Sequence, residues 1–462
     1  MRLVCIRVSA WLCVFWLLAG PIYVSAHGYQ VDEQSARRLG DSFSGGAAEA
    51  RDASTAYYNP AGLIRLKQTE YVTGISLINT QTDFEGGAVT TDGLAVLPVQ
   101  GNDGGDPDSN IVIPHLYVAR PLTENTVFGF SLNVPYATGT DYDRDFVGRY
   151  FATESELFGV HINTSVGVAV TERFSMGIGL SLQYLDGSLG NDVNSAGICA
   201  LAEASGALAA LGLPSCAQQG FDTPGTSTDD GSVLVEGDDV GFGVTFGLLY
   251  QFNEGSRVGF NYRSDIEHNL DGEAEFRFPA HTQLVLPLAD PNLRDRTVDG
   301  LLELVTPEAL SLSGFHQVNG NWSIQGDVTW TRWSRFQTLT IEPQDGPHIV
   351  QPQLWDDTLR FALGTEVRVS EAMSLRAGAA RDESPIPDET LNLNFPFEDY
   401  RAFSVGMTYR FSDTLAMDVG LQHTLGMEVD ITQGTFESDA AILTGTVETD
   451  ITSFAIGFNL RR

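Results

Sequence analysis

Three sets of residues have types and spacings that could carry chemistry. Gly40-Asp41-Ser42-Phe43 together with Asp265-Ile266-Glu267-His268 would supply a serine nucleophile and an acid-oriented histidine base, the working parts of a hydrolase. A hydrolase domain needs about 100–200 residues, and only about 43 lie between an N-terminal export segment and the first strand pattern. Asp103, Asp106 and Asp108 could hold calcium, but their spacing is not that of a calcium loop, and an acidic Gly-rich stretch is ordinarily just solvated. The histidines are scattered, with no His-x-x-x-His pair and no Cys/His cluster, so no metal site is expected. No glycine loop sits between a strand and a helix to hold a phosphate-bearing cofactor, so neither a cofactor nor enzyme activity is expected.

Residues 1–26 read as an export signal. Arg2 and Arg7 precede a compact apolar run from Ala10 to Ala19, Pro21 breaks it, and Val24-Ser25-Ala26 is a small-residue cleavage site. The run is too short to span a bilayer as a helix, which takes about 20 apolar residues. Two cysteines leave with the signal, and the remaining pair, Cys199 and Cys216, is expected to form a disulfide in an exported chain, stabilising its loop by about 3 kcal/mol. With 26 Lys+Arg against 60 Asp+Glu the formal charge is −34, which excludes a nucleic-acid partner, since such a protein needs a basic face.

The elements that must position any site are strands. In 173–184, Phe174, Met176, Ile178, Leu180, Leu182 and Tyr184 fall on one face, with Ser175, Gly177, Gly179, Ser181 and Gln183 on the other. The same alternation runs from Val240 to Phe252 and from Phe403 to Phe411, and Leu359–Val369 turns Arg360, Glu366 and Arg368 to its polar side. These runs reach about 10 residues, the length of a tilted membrane strand, where strands of soluble domains average about 5–6. The polar face is Gly, Ser, Asn and Arg, suited to a lumen, and Tyr184, Tyr250, Trp322, Trp330, Tyr409 and Phe411 sit near strand ends like interfacial girdles.

About fourteen such segments occur, near 70–79, 110–119, 126–134, 157–171, 173–186, 240–253, 256–276, 308–318, 321–333, 358–370, 373–382, 401–411, 414–425 and 450–460. An even number closes a sheet without the open edges that lipid cannot satisfy. The expected fold is therefore an all-β, transmembrane antiparallel β-barrel. Residues 27–69, rich in Gly, Ala and Ser, precede it, and residues 70–462 form it, with 187–239 as the longest insertion. Within that insertion Ile198, Leu201, Leu208 and Leu211 suit one helical stripe.

At 35–63 the chain reads SARRLGDSFSGGAAEARDASTAYYNPAGL, with Asp52-Ala53-Ser54 and Asn59-Pro60-Ala61-Gly62 within it. Later come GRYFATESEL (Gly148 to Leu157), GLLYQFNEGSRVGFNYRS (Gly247 to Ser264), TWTRWSRF (Thr329 to Phe336), Trp355-Asp356-Asp357-Thr358 and Tyr409-Arg410-Phe411-Ser412. In this order they resemble the outer-membrane long-chain fatty acid transporter family, which also includes aromatic hydrocarbon importers, and 35–63 resembles its N-terminal hatch.

The resemblance implies a fourteen-stranded barrel plugged by the hatch, in a Gram-negative outer membrane. Hydrophobic substrate would be captured by outer loops, pass to a pocket beside the hatch N-terminus and leave sideways at an inward kink of the third strand. Carried onto this chain, capture falls to 187–239 (Ile198, Leu201, Leu208, Leu211) and to a loop at 279–307 (Leu301, Leu302, Leu304, Val305). The third strand is about Val127–Pro135, with Gly129 and Pro135 able to tolerate distortion. A basic clamp for a carboxylate substrate would come from Arg37 or Arg38 in the hatch, or from Arg294 and Arg296. The partners implied are the substrate, the bilayer with its outer-leaflet lipopolysaccharide, and the barrel-assembly machinery, with the chain acting as a monomer. The rivals are a hydrocarbon importer on the same scaffold, a general porin, and an esterase fused to a barrel. The chain departs from the barrel habit of a terminal aromatic residue, since Phe458 is followed by Asn459, Leu460, Arg461 and Arg462, which leaves the register of the last strand open.

Overall fold

The computed structural model of the protein describes residues 28–105, 109–344, 349–435 and 441–462; the export segment, Asp106 and Asp108 lie outside them. Among the described residues, fourteen antiparallel strands form one closed sheet. They are β1 (Glu70–Thr91), β2 (Ser109–Thr123), β3 (Thr126–Asp141), β4 (Glu154–Ala169), β5 (Phe174–Val193) and β6 (Gly231–Asn253). Four strands are each interrupted once: β7 (Ser256–Arg263, then Ile266–Arg277), β8 (Arg296–Thr306, then Ala309–Asn319), β9 (Trp322–Thr331, then Thr338–Pro343) and β10 (Ile349–Pro352, then Thr358–Arg368). The circuit ends with β11 (Met373–Asp382), β12 (Tyr400–Arg410), β13 (Leu415–Gln433) and β14 (Ala441–Arg461). β14 returns to pair with β1 from Glu70↔Arg461 to Thr90↔Ala441, closing the barrel and fixing the last register through to Arg461. No described helix is long and apolar enough to cross a membrane.

The period-two pattern becomes two surfaces. On β5 and β6 the outward Leu180 and Phe242 are 64% and 74% exposed, whereas the inward Gln183 is fully buried. Phe361, Leu363, Phe403, Val405, Leu421 and Phe454 continue this outward belt around the wall. Such a band of exposed aliphatic and aromatic side chains is stable only against hydrocarbon. Tyr250, Phe252, Trp322, Tyr409 and Phe411 lie exposed beside the short turns at one rim, as an interfacial girdle requires.

Several strands run well past the segments marked by alternation. β13 extends to Gln433, β14 begins at Ala441, and both ends of the 187–239 insertion are continuations of β5 and β6. Beyond the belt the outward positions turn acidic (Asp186, Glu236, Asp238, Glu428, Glu448), so the contrast between faces that signals a strand is lost there while the backbone ladder continues. Residues 279–307 are likewise not all loop: Arg296–Thr306 is strand, paired with β7 throughout.

The lumen is filled by residues 28–69. The hatch contains α1 (Ala36–Leu39), α2 (Gly46–Glu49), α3 (Thr55–Tyr58) and a 3-10 turn at Pro60–Arg65. Its backbone presses directly onto wall glycines. A Cβ on Gly378 would lie 2.2 Å from the Asp41 carbonyl carbon, and one on Gly259 would lie 1.9 Å from the Ala47 oxygen. Only glycine allows that approach.

Candidate functional site

Most hatch motif residues hold the hatch together. The Asp52 carboxylate accepts from the Ser54 amide (2.9 Å) and hydroxyl (2.5 Å), and Ala53 is buried against Leu63, Tyr117 and Val127. Asn59 accepts from the Ala61 amide at 3.0 Å, capping the 3-10 turn in which Pro60 takes the first position, where no donor is needed. Its amide donates to the Ala47 (2.6 Å) and Leu248 (3.0 Å) carbonyls, tying hatch to wall. Gly62 lies against Thr55 and Ala50 with no room for a side chain.

Arg37 and Arg38 are consumed by carboxylates. Glu49 lies 3.0 Å from each and 3.7 Å from Arg51. Glu366 of the wall binds Arg37, Arg51 (2.5 Å) and Arg376 (3.5 Å), and Asp418 lies 3.3 Å from Arg376. This network bolts the hatch to β10, β11 and β13 and leaves neither arginine as a carboxylate clamp. Arg294 is exposed, and Arg296 stacks over Phe276 at 4.3 Å.

An apolar chamber lies beside the hatch N-terminus. Tyr29, completely buried, packs on Trp333 (ring centroids 4.8 Å apart), Phe336 (5.8 Å) and Trp355 (5.7 Å), and Trp355 in turn meets Phe395 (5.5 Å). The Tyr29 hydroxyl donates to the Val305 carbonyl at 2.5 Å. Leu302 and Leu304 project into the same cluster from β8, while Leu301 and Val305 are only half-buried. The Leu301-Leu302 doublet hides the alternation, which is why this strand reads as an apolar loop. TWTRWSRF and Trp355 supply the aromatic walls. Beneath them a cavity of about 90 Å³ is lined by Gln30, Tyr57, Arg263, Ser311, Thr329, Trp333 and Arg360, among others.

The insertion folds as α4 (Ser195–Ala204) and α5 (Ala207–Ala210), and the Cys199–Cys216 disulfide ties α4 to the segment that follows α5. Its four stripe residues separate. Leu208 is buried with Ala196, Cys199, Cys216, Phe221 and Val285, Ile198 packs on the chamber, Leu201 is half-buried, and Leu211 is 60% exposed. Val285 joins the insertion's core while the adjacent Leu286, in α6 (Leu286–Ala289), joins the chamber, so the two apolar regions abut.

β3 is bent inward. Its burial alternates from Thr126 to Leu132, then every residue from Asn133 to Thr140 is buried. Pairing with β2 stops at Leu116↔Leu132, and the ladder to β4 shifts register between Asn133 and Tyr136. The released backbone is taken up by the hatch: Val31 N–H donates to the Pro135 carbonyl (2.8 Å), Ala137 N–H to the Tyr29 carbonyl (3.0 Å), and Val134 N–H to the Gln34 side chain (3.0 Å). Buried donors and acceptors must be satisfied somewhere, and Pro135 at the bend has no donor to satisfy. Pro114 lies in the part of β2 that β3 has left, the edge position a strand proline tolerates. Val31, Ile111, Ile113, Val134 and Ala137 line the inner side. Gly129 is not at the bend: a Cβ there would meet Leu63 of the hatch at 2.7 Å, so its smallness serves hatch packing.

The hydrolase parts do not assemble. Ser42 bonds Ser404 (2.8 Å), Asp265 pairs with Arg335 (3.5 Å), and His268 bonds Asp239 (3.0 Å) and Gln183 (2.9 Å). Among the described residues no group of three metal-ligating side chains gathers.

The barrel, hatch and bend set this chain beside known proteins. The long-chain fatty acid transport protein of Escherichia coli is 27% identical over 431 residues, covering 91% of this chain and 93% of that protein. The crystal structure of a Pseudomonas aeruginosa FadL homologue superposes with a TM-score of 0.82 at 22% identity, covering 94% of this chain and 99% of the other. The P. putida toluene transporter TodX gives 0.66 at 16% identity, with coverage of 94% and 99%. A family model described as outer membrane protein transport protein (OMPP1/FadL/TodX) matches residues 17–461, and the chain is a member of that family, an outer-membrane β-barrel transport protein whose relatives are transporters and not enzymes.

Proposed function

We propose that this protein admits long-chain fatty acids passively through the outer membrane, delivering them sideways into the bilayer. The observation that carries the route is β3, whose inner half has exchanged its β2 partner for the hatch. The apolar residues fall in groups that adjoin in sequence through Val285-Leu286 and Tyr29–Val31: Leu211, Leu284 and Leu288 exposed on the outer loops, Val285 and Leu286 buried beside them, the aromatic chamber around Tyr29, then Val31, Ile111, Ile113, Val134 and Ala137 at the bend. Burying an alkyl chain gains about 0.8 kcal/mol per methylene, so transfer along such a surface needs no energy source. A 90 Å³ cavity is far below the roughly 300 Å³ of an ordinary ligand site, so Tyr29 and its hatch segment must yield to admit a substrate. Ile198, Leu201, Leu208 and Leu211 act in capture as the core and rim of the insertion. Pro135 serves the lateral gate. The chain works as a monomer, embedded among outer-leaflet lipopolysaccharide after insertion by the barrel-assembly machinery. A second reading, uptake of aromatic hydrocarbons, is favoured by the chamber of Tyr29, Trp333, Phe336 and Trp355; identifying ligand extracted from purified protein by mass spectrometry separates the two.

Gln30 and Tyr136 face each other across an antiparallel bridge between hatch and bend. The double variant Gln30→Cys, Tyr136→Cys should form a disulfide that blocks oleate uptake in reconstituted vesicles while the barrel stays folded. Reductant should restore uptake, with the parent protein as control for the native disulfide. Undiminished uptake by the oxidised variant would rule out movement of this contact.

A further inference from the structure

The cationic side chains inside the barrel divide into two groups. Arg37, Arg38, Arg51, Arg360 and Arg376 each have at least one carboxylate within 4 Å. Arg65, Arg257 and Arg263 have none among the described residues. Arg65 bonds Gln251 (2.6 Å), and Arg257 bonds the Ala48 (2.6 Å) and Glu49 carbonyls; both line a polar vestibule with Arg368, Arg410 and Asp413, on the side of the short turns and apart from the aromatic chamber. Arg263 is placed differently. It lines the small cavity that also touches Trp333, at the foot of the chamber.

Arg263 leaves the wall where β7 is interrupted and lies flat over the Tyr57 ring, 3.9 Å from its centroid. Nη1 donates to the Tyr57 hydroxyl at 2.6 Å, and Nη2 to its carbonyl at a long 3.4 Å. Its Nε is buried without a hydrogen-bond partner. A guanidinium has five N–H groups, and a carboxylate takes two of them in parallel. The Nε and Nη2 edge is thus the open one. Arg360, on the same cavity, is already answered by Asp32 at 2.8 Å and Asp382 at 3.5 Å. Asp327 also lines the cavity and accepts from the Gly45 amide at 3.3 Å, so among the described residues the neighbourhood offers one guanidinium, beside Trp333, with no carboxylate within 4 Å.

We infer that Arg263 is the head-group anchor of the chamber and makes it select long-chain carboxylates over uncharged molecules of the same shape. This deepens the fatty-acid reading above and rests on it. The acid's carboxylate sits on the Nε and Nη2 edge of Arg263, and its chain runs up between Trp333 and the space that Tyr29 vacates. A hydrocarbon filling the same chamber leaves that edge of the guanidinium unpaired, which is the origin of the discrimination. Arg263 is a specificity residue and drives no covalent step.

The test compares oleate with oleyl alcohol, which has the same chain and no charge, by equilibrium binding to the full chain in lipid nanodiscs. Wild type should bind oleate at least tenfold more tightly than the alcohol. Arg263→Met should abolish that preference by weakening oleate alone, and Arg263→Lys should retain part of it. Tyr57→Phe, which removes the present partner of Nη1 but keeps the cation, should preserve the preference. Equal loss of both ligands in Arg263→Met, or loss of preference in Tyr57→Phe as well, would make Arg263 a hatch anchor and overturn the inference. An unchanged preference in Arg263→Met would overturn it too. If wild type binds neither ligand, the fatty-acid reading itself fails.

Discussion

At the scale of single residues the hatch is held by contacts that leave no slack. Glycine in the wall is used where another backbone must touch it, as at Gly378 against Asp41 and Gly259 against Ala47. Gly378→Val forces those backbones apart and should cost about 1–3 kcal/mol, the range for overpacking. Because Gly378 keeps its ladder partners on β10 and β12, the expected phenotype is a loosened plug. Planar-bilayer recordings should show raised ion conductance from a variant that remains heat-modifiable on gels; a closed, wild-type trace would contradict the close approach. Glu49 shows why sequence is mute on such matters. Nothing in Gly-Ala-Ala-Glu-Ala announces a carboxylate serving Arg37, Arg38 and Arg51 of the same hatch, and the wall members that complete the network, Glu366, Arg376 and Asp418, come from strands more than 300 residues away.

At the scale of elements, the outer loops are stapled by one buried ion pair. Arg149 binds Asp230 at 2.7 Å and also donates to the Gln100, Phe146 and Gly225 carbonyls, joining three loops. Burial pushes the Asp230 carboxyl up to about 6, against the pull of Arg149. A carboxyl raised in the folded state contributes stability that is complete below its unfolded value of about 3.9 and is lost as pH rises through the folded value. The loop cap should therefore loosen between about pH 4 and pH 7. Hydrogen exchange over residues 142–153 and 222–230, corrected for intrinsic rates, should show falling protection across that interval. Asp230→Asn should flatten the dependence; an unaltered slope would place its origin elsewhere. The second capture loop carries a different lesson. Leu301, Leu302, Leu304 and Val305 look like a greasy loop, yet their backbone is strand, because pairing with β7 across eleven register positions outweighs a doublet that local pattern cannot resolve.

For the whole molecule the decisive quantity is which face meets lipid. Leu180 on β5 stands mid-belt, opposite Val244 on β6. Leu180→Arg should destabilise the folded barrel by about 2–4 kcal/mol, the cost of a cation near the bilayer midplane. Denaturant titration in lipid vesicles measures it, and a change near zero would reverse the assignment of faces. Part of the strong negative charge fits this layout, since Asp186, Glu236, Asp238, Glu428 and Glu448 face outward beyond the belt.

Alternation of side chains is a local property, so it is written in the residues themselves. It was enough to establish strands, their approximate number, the apolar exterior and hence a membrane barrel, and the ordered motifs were enough to indicate the family. The even cysteine pair was legible for the same reason. What no local pattern encodes is the outcome of competition between distant groups. Arg37 and Arg38 are engaged by carboxylates, Arg37 by Glu366 of the wall and both by Glu49 of the hatch, and Gly129 packs against Leu63 of the hatch. β3 turned inward where its backbone bonds the hatch in place of β2, and Arg263 kept an open edge because none of the aspartates on its cavity comes within 4 Å of it. Those choices depend on which atoms folding brings within hydrogen-bonding distance, and only the closed barrel with its plug in place decides them.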